Sequence, residues 1–168
     1  MSTRLEFSPL MNETPGVIVS LLRRSYVDLL TNESALWKGE ESRWEQYDRE
    51  AFQQPQTVGA SLFVSRLDGV LAGFASWDPR QQPHCGVVGH NCILPEFRGR
   101  GLGAEQIREV LRRFQRRGIP MALATTCDHP FFLPAQRMYL ACGFREVRRI
   151  PWDRDSRYAQ IEYEKESG

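Results

Sequence analysis

The residues with the clearest chemical potential form the glycine-rich turn Arg98-Gly99-Arg100-Gly101-Leu102-Gly103, which joins an apolar run to an amphipathic segment. Glycines allow backbone N–H groups to approach a ligand closely. A helix that begins in such a turn directs its positive dipole end toward the ligand, where an anion is stabilised. The two arginines add fixed positive charge. The turn therefore predicts a phosphate or pyrophosphate site.

The residues around the turn narrow the type of phosphate ligand. A Walker A loop needs a lysine after its last glycine, and none follows here. The spacing Gly99-x-Gly101-x-x-Ala104 fits a dinucleotide fingerprint, which normally abuts its strand and precedes an acidic residue by about twenty positions. Here residues 95–98 intervene, and residues 119–124 contain no acid. A turn that only begins a helix needs one glycine and no arginine. All three interpretations are therefore disfavoured.

A second motif lies beyond the turn, where Ala135-x-x-x-Tyr139 is followed by Gly143-Phe144. With Arg98-x-x-Gly101-x-Gly103 before it, and a helix and strand between the two, this arrangement resembles the GNAT N-acetyltransferases. The residue-level resemblance spans about residues 87–147, and the order of elements agrees along the whole chain. It implies an α/β (α+β) fold: a mixed, mostly antiparallel central sheet flanked by helices, with a splayed strand before a coenzyme A-binding turn.

The resemblance also implies a reaction. An acetyl group would move from acetyl-CoA to a primary amine of a small molecule or peptide by direct attack in a ternary complex. The cofactor pyrophosphate would lie on the backbone of residues 98–103, with charge-assisted contacts from Arg98 and Arg100. Backbone groups of Asn91, Cys92 and Ile93 would face the pantetheine and the thioester carbonyl. A non-catalytic acyl-CoA-binding regulatory module on the same fold is the alternative.

Tyr139 matches the family position that protonates the departing thiolate. A phenol, with a pKa of about 10, can return a proton to a thiol sulfur of pKa about 8.5. A half-buried tyrosine that only packs its ring is the competing interpretation. Many relatives carry asparagine where this chain has Phe132. We expect that cofactor contact to be lost or to come from Asp128 or His129.

The general base is harder to assign, although an amine of pKa about 10.4 must lose a proton before it attacks. Asp128 and His129, just after a predicted strand, are the preferred base or relay. His90 is a weaker candidate, because the regular alternation of its strand favours a buried core histidine. Water could also relay the proton.

Acceptor specificity in this family comes from segments that correspond to about residues 26–55 and 77–86. Tyr26, Trp37, Trp44 and nearby acidic residues could line a cavity for a cationic amine. The interpretation we favour is a helix with one apolar and one solvated face.

The composition indicates the number of domains, the kinds of partner and the cellular location to expect. The 168 residues predict one domain, 1–168, and the net charge of +1 favours neither nucleic acid nor membrane as a partner. The four cysteines form no CxxC pair, and the pairs His84-Cys85 and His90-x-Cys92 lack the further ligands that would complete a metal site. We therefore expect no metal and a reduced, cytoplasmic protein without an N-terminal signal segment. None of the cysteines carries an activating motif for a covalent intermediate. A homodimer is possible.

Hydrophobic spacing predicts the order strand, helices, hairpin, strand, helix, strand, helix, strand, strand. The first helix would begin at Pro15 with Asn12 or Thr14 as its cap and continue to Leu30. Asp68-Gly69 predicts the hairpin turn. A helix from about Gly103 to Arg117 would bury Ile107, Val110 and Phe114, and Gly143 would end the next helix.

Overall fold

The computed structural model describes residues 3–168, and within them the chain forms seven strands and six α-helices. The strands are β1 (Leu5–Pro9), β2 (Leu62–Leu67), β3 (Val70–Asp78), β4 (Gly86–Ile93), β5 (Met121–Cys127), β6 (Arg145–Pro151) and β7 (Ala159–Glu166). The helices are α1 (Val17–Ser25), α2 (Val27–Asn32), α3 (Ser34–Trp37), α4 (Glu40–Gln53), α5 (Leu102–Arg116) and α6 (Leu133–Ala141). None of these described helices is long and apolar enough to cross a membrane.

The strands form one sheet in the order β1-β2-β3-β4-β5-β7-β6. Strand pairs β1–β2, β2–β3, β5–β7 and β6–β7 are antiparallel, and β4–β5 is parallel. The register of β4 with β5 covers Gly86↔Ala122 and Val87↔Leu123, only two residues of an eight-residue strand. The mixed, mostly antiparallel sheet flanked by helices confirms the predicted fold class.

Two compact units make up the chain, and they interleave in sequence. The first contains the described residues up to Ser76 together with His90–Gln106, and the second contains Trp77–Gly89 and Ile107–Gly168. The single domain expected from the length stays a prediction.

The first unit is built on an apolar core between α1, α4 and its strands. Ile18, Leu21 and Leu22 of α1 are buried at helical spacing, as the sequence pattern predicted. Trp44 of α4 is 1% exposed and packs in the same cluster. The core therefore fixes α1 and α4 on the sheet.

The start of α1 differs from the prediction. Neither Asn12 nor Thr14 caps the helix; its N-cap is Gly16, with φ +100° and no side-chain cap. Instead, the buried carboxylate of Asp48 accepts hydrogen bonds from the N–H groups of Gly16 (2.8 Å) and Ile18 (2.9 Å). A residue of α4 thus satisfies the free amides that a local cap would otherwise have satisfied.

The end of α1 also differs, because the helix predicted to reach Leu30 is interrupted. Tyr26, with φ −105° and ψ 14°, separates α1 from α2. The carbonyl of Ser25, the last residue of α1, accepts a hydrogen bond from the Arg98 guanidinium at 2.7 Å. That contact engages the carbonyl at the point where the helix breaks.

The predicted hairpin turn is confirmed. Asp68 and Gly69 both have positive φ, +50° and +81°, as a two-residue turn between β2 and β3 requires. Asp68 also accepts a hydrogen bond from the Arg4 N–H at 2.8 Å, which ties the hairpin to the chain before β1.

The second unit packs around the C-terminal part of α5. Ile107, Val110 and Phe114 are fully buried, as predicted. A Cβ at Gly86 would lie 2.4 Å from the Phe114 ring, so this position of β4 needs glycine for close packing. The Trp77 ring meets Phe114 edge-on, with centroids 6.0 Å apart.

Candidate functional site

The glycine turn has the backbone conformation that an anion cradle needs. Gly99 and Gly101 adopt left-handed φ values of +74° and +76°. A Cβ at either position would meet no atom within 4 Å. Glycine is therefore required here for conformation rather than for internal packing, and the space beside each glycine is open to a ligand.

The hydrogen bonds of the turn identify the amides that remain for such a ligand. The Arg98 N–H donates to Pro95 O at 3.2 Å, and the Glu105 N–H donates to Gly101 O at 3.1 Å, which begins the α5 ladder. The amides of Leu102 and Gly103 lie in the first helical turn, where N–H groups have no acceptor within the helix. These amides and the helix dipole are the groups on which the predicted diphosphate site depends.

Buried leucines anchor the turn on both sides. Leu94 is fully buried, and its N–H donates to Ala72 O at 2.8 Å. Leu102, 8% exposed, packs against Leu67 and Ala72. The exposed residues 98–101 are therefore held between two buried positions of the chain.

The two arginines of the turn differ in their contacts. The Nε and Nη2 groups of Arg98 donate to the carbonyls of Ile93 (3.1 Å) and Ser25 (2.7 Å). The exposed Arg100 guanidinium lies 5.8 Å from the centre of the Phe97 ring and makes a long hydrogen bond to Glu96 O. We predicted a phosphate contact for both side chains. At Arg98 such a contact would compete with two short intramolecular hydrogen bonds, whereas at Arg100 it would compete with one long one.

Strand β4 brings Asn91, Cys92 and Ile93 to the start of the turn segment. Asn91 and Ile93 are half-buried, and Cys92 is 8% exposed in the core. Burial raises the pKa of the Cys92 thiol to about 11, although Ser25 and Phe74 lower it by hydrogen bonding. Cys92 is therefore protonated at neutral pH, which makes it a poor nucleophile.

His90 does not lie where the sequence placed it. The expectation of a buried core histidine is wrong, because the side chain is exposed. Its ring lies 5.5 Å from that of Tyr47, and its carbonyl accepts a hydrogen bond from Ser76 Oγ at 2.7 Å.

Gln106 is a residue whose importance the sequence did not reveal. It is 1% exposed, in the second turn of α5. With its amide oriented to match its neighbours, it accepts from Ser65 Oγ (2.7 Å) and Phe74 N (3.2 Å) and donates to Phe74 O (3.3 Å). A polar residue directly before the inward-facing Ile107 was the one available signal. Gln106 satisfies polar groups close to the register shift between β2 and β3.

Tyr139 lies in the second unit, on the last turn of α6. It is 4% exposed, and its ring centre lies 5.5 Å from those of both Phe144 and Tyr163. The Phe144 N–H donates to Tyr139 O, the Gly143 N–H donates to Leu140 O, and Gly143 has φ +88°. This is a Schellman motif, with the usual apolar contact between its first and last residues. The Tyr139…Gly143-Phe144 pattern therefore ends the helix as predicted, whatever else Tyr139 does.

Asp128 and His129 follow β5 and are both engaged in local structure. One Asp128 oxygen accepts from the Ala159 N–H at 2.7 Å, and the other lies 3.7 Å from Arg149 Nη1. His129 is 6% exposed; its Nδ1 accepts from the Phe131 N–H at 3.1 Å, and its ring packs against Tyr158. A neutral His129 therefore carries its proton on Nε2. Phe132 packs its ring on those of His129 and Phe131.

The aromatic residues considered for the acceptor form part of the core. The Tyr26 ring lies 5.7 Å from Trp37 and 5.4 Å from Trp44, and both tryptophans are buried. Arg23 binds Glu41 and Glu45, each at 2.7 Å. The favoured interpretation, a helix with an apolar and a solvated face, agrees with this packing.

Together, the mixed sheet and the turn define a class of α/β protein with an exposed, glycine-rich turn at the N-terminus of a helix. The sequence profile of the acetyltransferase (GNAT) family matches residues 27–144, well over half of the chain. The chain belongs to this family. No curated protein matches it at a significant level.

Solved structures share the fold at low identity. A Desulfovibrio desulfuricans protein described as a GNAT-family acetyltransferase has a TM-score of 0.74 and 18% identity, covering 98% of this chain and 100% of its own. An N-acetyltransferase from Staphylococcus aureus Mu50 has a TM-score of 0.73 and 13% identity, with 98% and 99% covered. The acetyltransferase yncA of Salmonella typhimurium, solved with its cofactor acetyl-CoA, has a TM-score of 0.66 and 14% identity, with 100% and 95% covered.

Proposed function

We propose that this protein is an N-acetyltransferase that moves an acetyl group from acetyl-CoA to a primary amine. The observation that carries the proposal is the open turn with two left-handed glycines at the start of α5, in a chain of the GNAT family. The structural neighbour yncA, which binds acetyl-CoA, supports the choice of ligand. The acceptor would be a small molecule or a peptide.

In this proposal the turn binds the diphosphate of acetyl-CoA. The amides of residues 99–103 donate to the phosphate oxygens, because glycine removes the side chains that would block their approach. Arg100, exposed at the edge of the turn, supplies a charge-assisted contact. The backbone of Asn91, Cys92 and Ile93 lies along the pantetheine and the thioester.

The chemical step is a direct transfer. The amine nitrogen attacks the thioester carbonyl carbon, a C–N bond forms, and negative charge develops on the carbonyl oxygen, where a backbone N–H of residues 91–93 would stabilise it. The nitrogen, which became cationic on attack, then loses a proton to the base or to solvent, the C–S bond breaks, and the electron pair leaves on sulfur. Tyr139 is proposed to protonate that thiolate, a role that rests on the family resemblance.

Direct attack is preferred over a covalent enzyme intermediate. Cys92 has a pKa raised to about 11 by burial, and Cys127 and Cys142 are also buried. A thiol that is protonated and enclosed at neutral pH does not compete with an incoming amine.

Asp128 and His129 are the two candidates for the base or relay that takes a proton from the amine. The Nδ1 of His129 already accepts from Phe131, so a proton taken there would displace that hydrogen bond. Asp128 keeps one oxygen that bears only the long contact to Arg149. Of the two, Asp128 is the better proton relay.

Calorimetric titration of acetyl-CoA into the wild-type protein and into Gly101→Asp tests the proposal. Aspartate forces a side chain and a negative charge into the cradle, so binding is expected to fall at least about 100-fold, near 3 kcal/mol. Gly118→Asp is a matched control, because Gly118 also has a left-handed φ (+67°) and open space around it. Equal binding by all three proteins would contradict the proposed cofactor site.

The acceptor class is found by following thiol release from acetyl-CoA across amines, aminoglycosides, polyamines and peptide N-termini. Faster thiol release with one class is expected. Binding of acetyl-CoA without acceleration by any amine would instead support the non-catalytic acyl-CoA-binding module.

A further inference from the structure

Arg98 belongs to the turn by sequence, but its guanidinium binds carbonyl oxygens of the protein backbone. It joins Ile93 O, at the end of β4, to Ser25 O, at the end of α1. Resting on the proposed function, we propose that Arg98 is a positioning residue: it orients the backbone that meets the thioester and couples the turn to the segment after α1.

The contact with Ile93 fixes a peptide plane. The Leu94 N–H of the Ile93–Leu94 peptide donates to Ala72 O on β3. In a trans peptide the C=O and N–H groups point in opposite directions, so Ile93 O points away from β3. Arg98 Nε binds that oxygen at 3.1 Å. With both polar groups held, this peptide cannot rotate, and the preceding residues 91–93 keep their orientation.

The contact with Ser25 connects the turn to the end of α1. Ser25 ends α1, and Tyr26 follows with its ring against Trp37 and Trp44. An ion pair between Arg24 and Glu96 at 2.6 Å joins the same two segments, but both partners are half-exposed, so it adds little. The charged hydrogen bond from Arg98 is the stronger of the two connections.

Arginine suits this task better than lysine does. Its planar guanidinium presents several donors in a fixed fork, so one side chain can bind two carbonyls at once. A lysine ammonium keeps the charge but is a single point on a flexible stem. Arg98→Lys thus separates charge from geometry, and Arg98→Gln removes the charge.

Steady-state kinetics of wild type, Arg98→Gln, Arg98→Lys and Arg100→Gln provide the test. Each is measured with acetyl-CoA and with acetyl-pantetheine, which lacks the diphosphate of coenzyme A. Both Arg98 variants are expected to lower kcat about tenfold with both thioesters and to raise the acceptor KM, because the carbonyls at both ends are released. Their Kd for acetyl-CoA should change less than threefold. Arg100→Gln should weaken acetyl-CoA binding alone.

An Arg98→Gln variant that loses acetyl-CoA affinity but keeps its kcat with acetyl-pantetheine would overturn the inference and make Arg98 a phosphate ligand. Amide hydrogen exchange of the ligand-free variants gives a readout that needs no activity. Arg98→Gln should speed exchange in residues 24–32 and 92–94, and Arg100→Gln should not. If wild type transfers no acetyl group, this exchange result still decides the positioning role. Unchanged exchange in Arg98→Gln would refute it.

Discussion

At the scale of single residues, the structure gives Tyr139 two separable parts. Its ring and carbonyl belong to the Schellman motif that ends α6, while its hydroxyl is the only part that acid catalysis requires. Phenylalanine keeps the ring and the carbonyl and removes the hydroxyl. The substitution therefore tests chemistry without disturbing the helix end.

Tyr139→Phe is expected to lower kcat about 100-fold, the usual contribution of a general acid, with little change in the Kd for acetyl-CoA. Tyr163→Phe is the control, since Tyr163 packs against Tyr139 and burial and Glu146 raise its pKa, which leaves it protonated at neutral pH. Thiol release measures the turnover of each variant, and calorimetry measures its affinity for acetyl-CoA. Unaltered turnover in Tyr139→Phe would reduce Tyr139 to a helix-ending residue.

At the scale of elements, the features that the sequence predicted are those set by neighbouring residues. The Asp68-Gly69 hairpin and the Gly143 helix end depend on positive φ values within a few positions, and both are present. The missed features depend on distant partners. Asp48 caps α1 from 32 residues away, and Arg98 binds Ser25 across 73 residues. Such contacts depend on tertiary packing, which hydrophobic periodicity does not encode.

The same division applies to the candidate site. The turn could be recognised because its glycines and arginines are adjacent in sequence, whereas the buried environment of Gln106 and the exposure of His90 depend on which strands meet. Spacing could place Tyr26 and Trp44 on apolar helix faces, but it could not show that their rings pack against each other.

The cap from Asp48 predicts a measurable stability difference. Asp48→Ala leaves the amide of Gly16 and the buried amide of Ile18 without this acceptor, so we expect a loss of about 2 kcal/mol in the free energy of unfolding. Glu45→Ala, on the same helix, removes only an exposed pair with Arg23 and should cost under about 0.5 kcal/mol. Urea unfolding measures both variants. Equal losses would mean that the cap contributes nothing beyond ordinary surface contacts.

At the scale of the whole molecule, the net charge is only +1, but the charges are unevenly distributed and α5 has a strongly basic face. Arg112, Arg113 and Arg116 all bind one carboxylate, that of Glu109, at 2.8 to 3.1 Å. Arg113 and Arg117 also lie over the Trp77 ring. The arginines of this face are therefore held by a carboxylate and an aromatic ring of the protein itself.

Glu109 makes the stability of the protein depend on pH in a defined direction. Burial alone would raise its pKa, but hydrogen bonds from Arg113 and Arg112 outweigh burial and hold the pKa below its usual value. A carboxyl group whose folded pKa is depressed stabilises the fold fully above its unfolded pKa of about 4.3. That contribution is lost as the pH falls through the folded pKa.

Glu109→Gln should therefore lower the free energy of unfolding by about 1 kcal/mol at pH 7, a modest value because solvent screens the half-exposed arginines. The difference from wild type should shrink as the pH falls below the unfolded pKa of about 4.3 and through the lower pKa of the folded state. Urea unfolding at pH 7 and pH 3 measures it, with Glu41→Gln, at an exposed position on α4, as the control. A deficit that stays constant between the two pH values would show that Glu109 acts through packing, not through its charge.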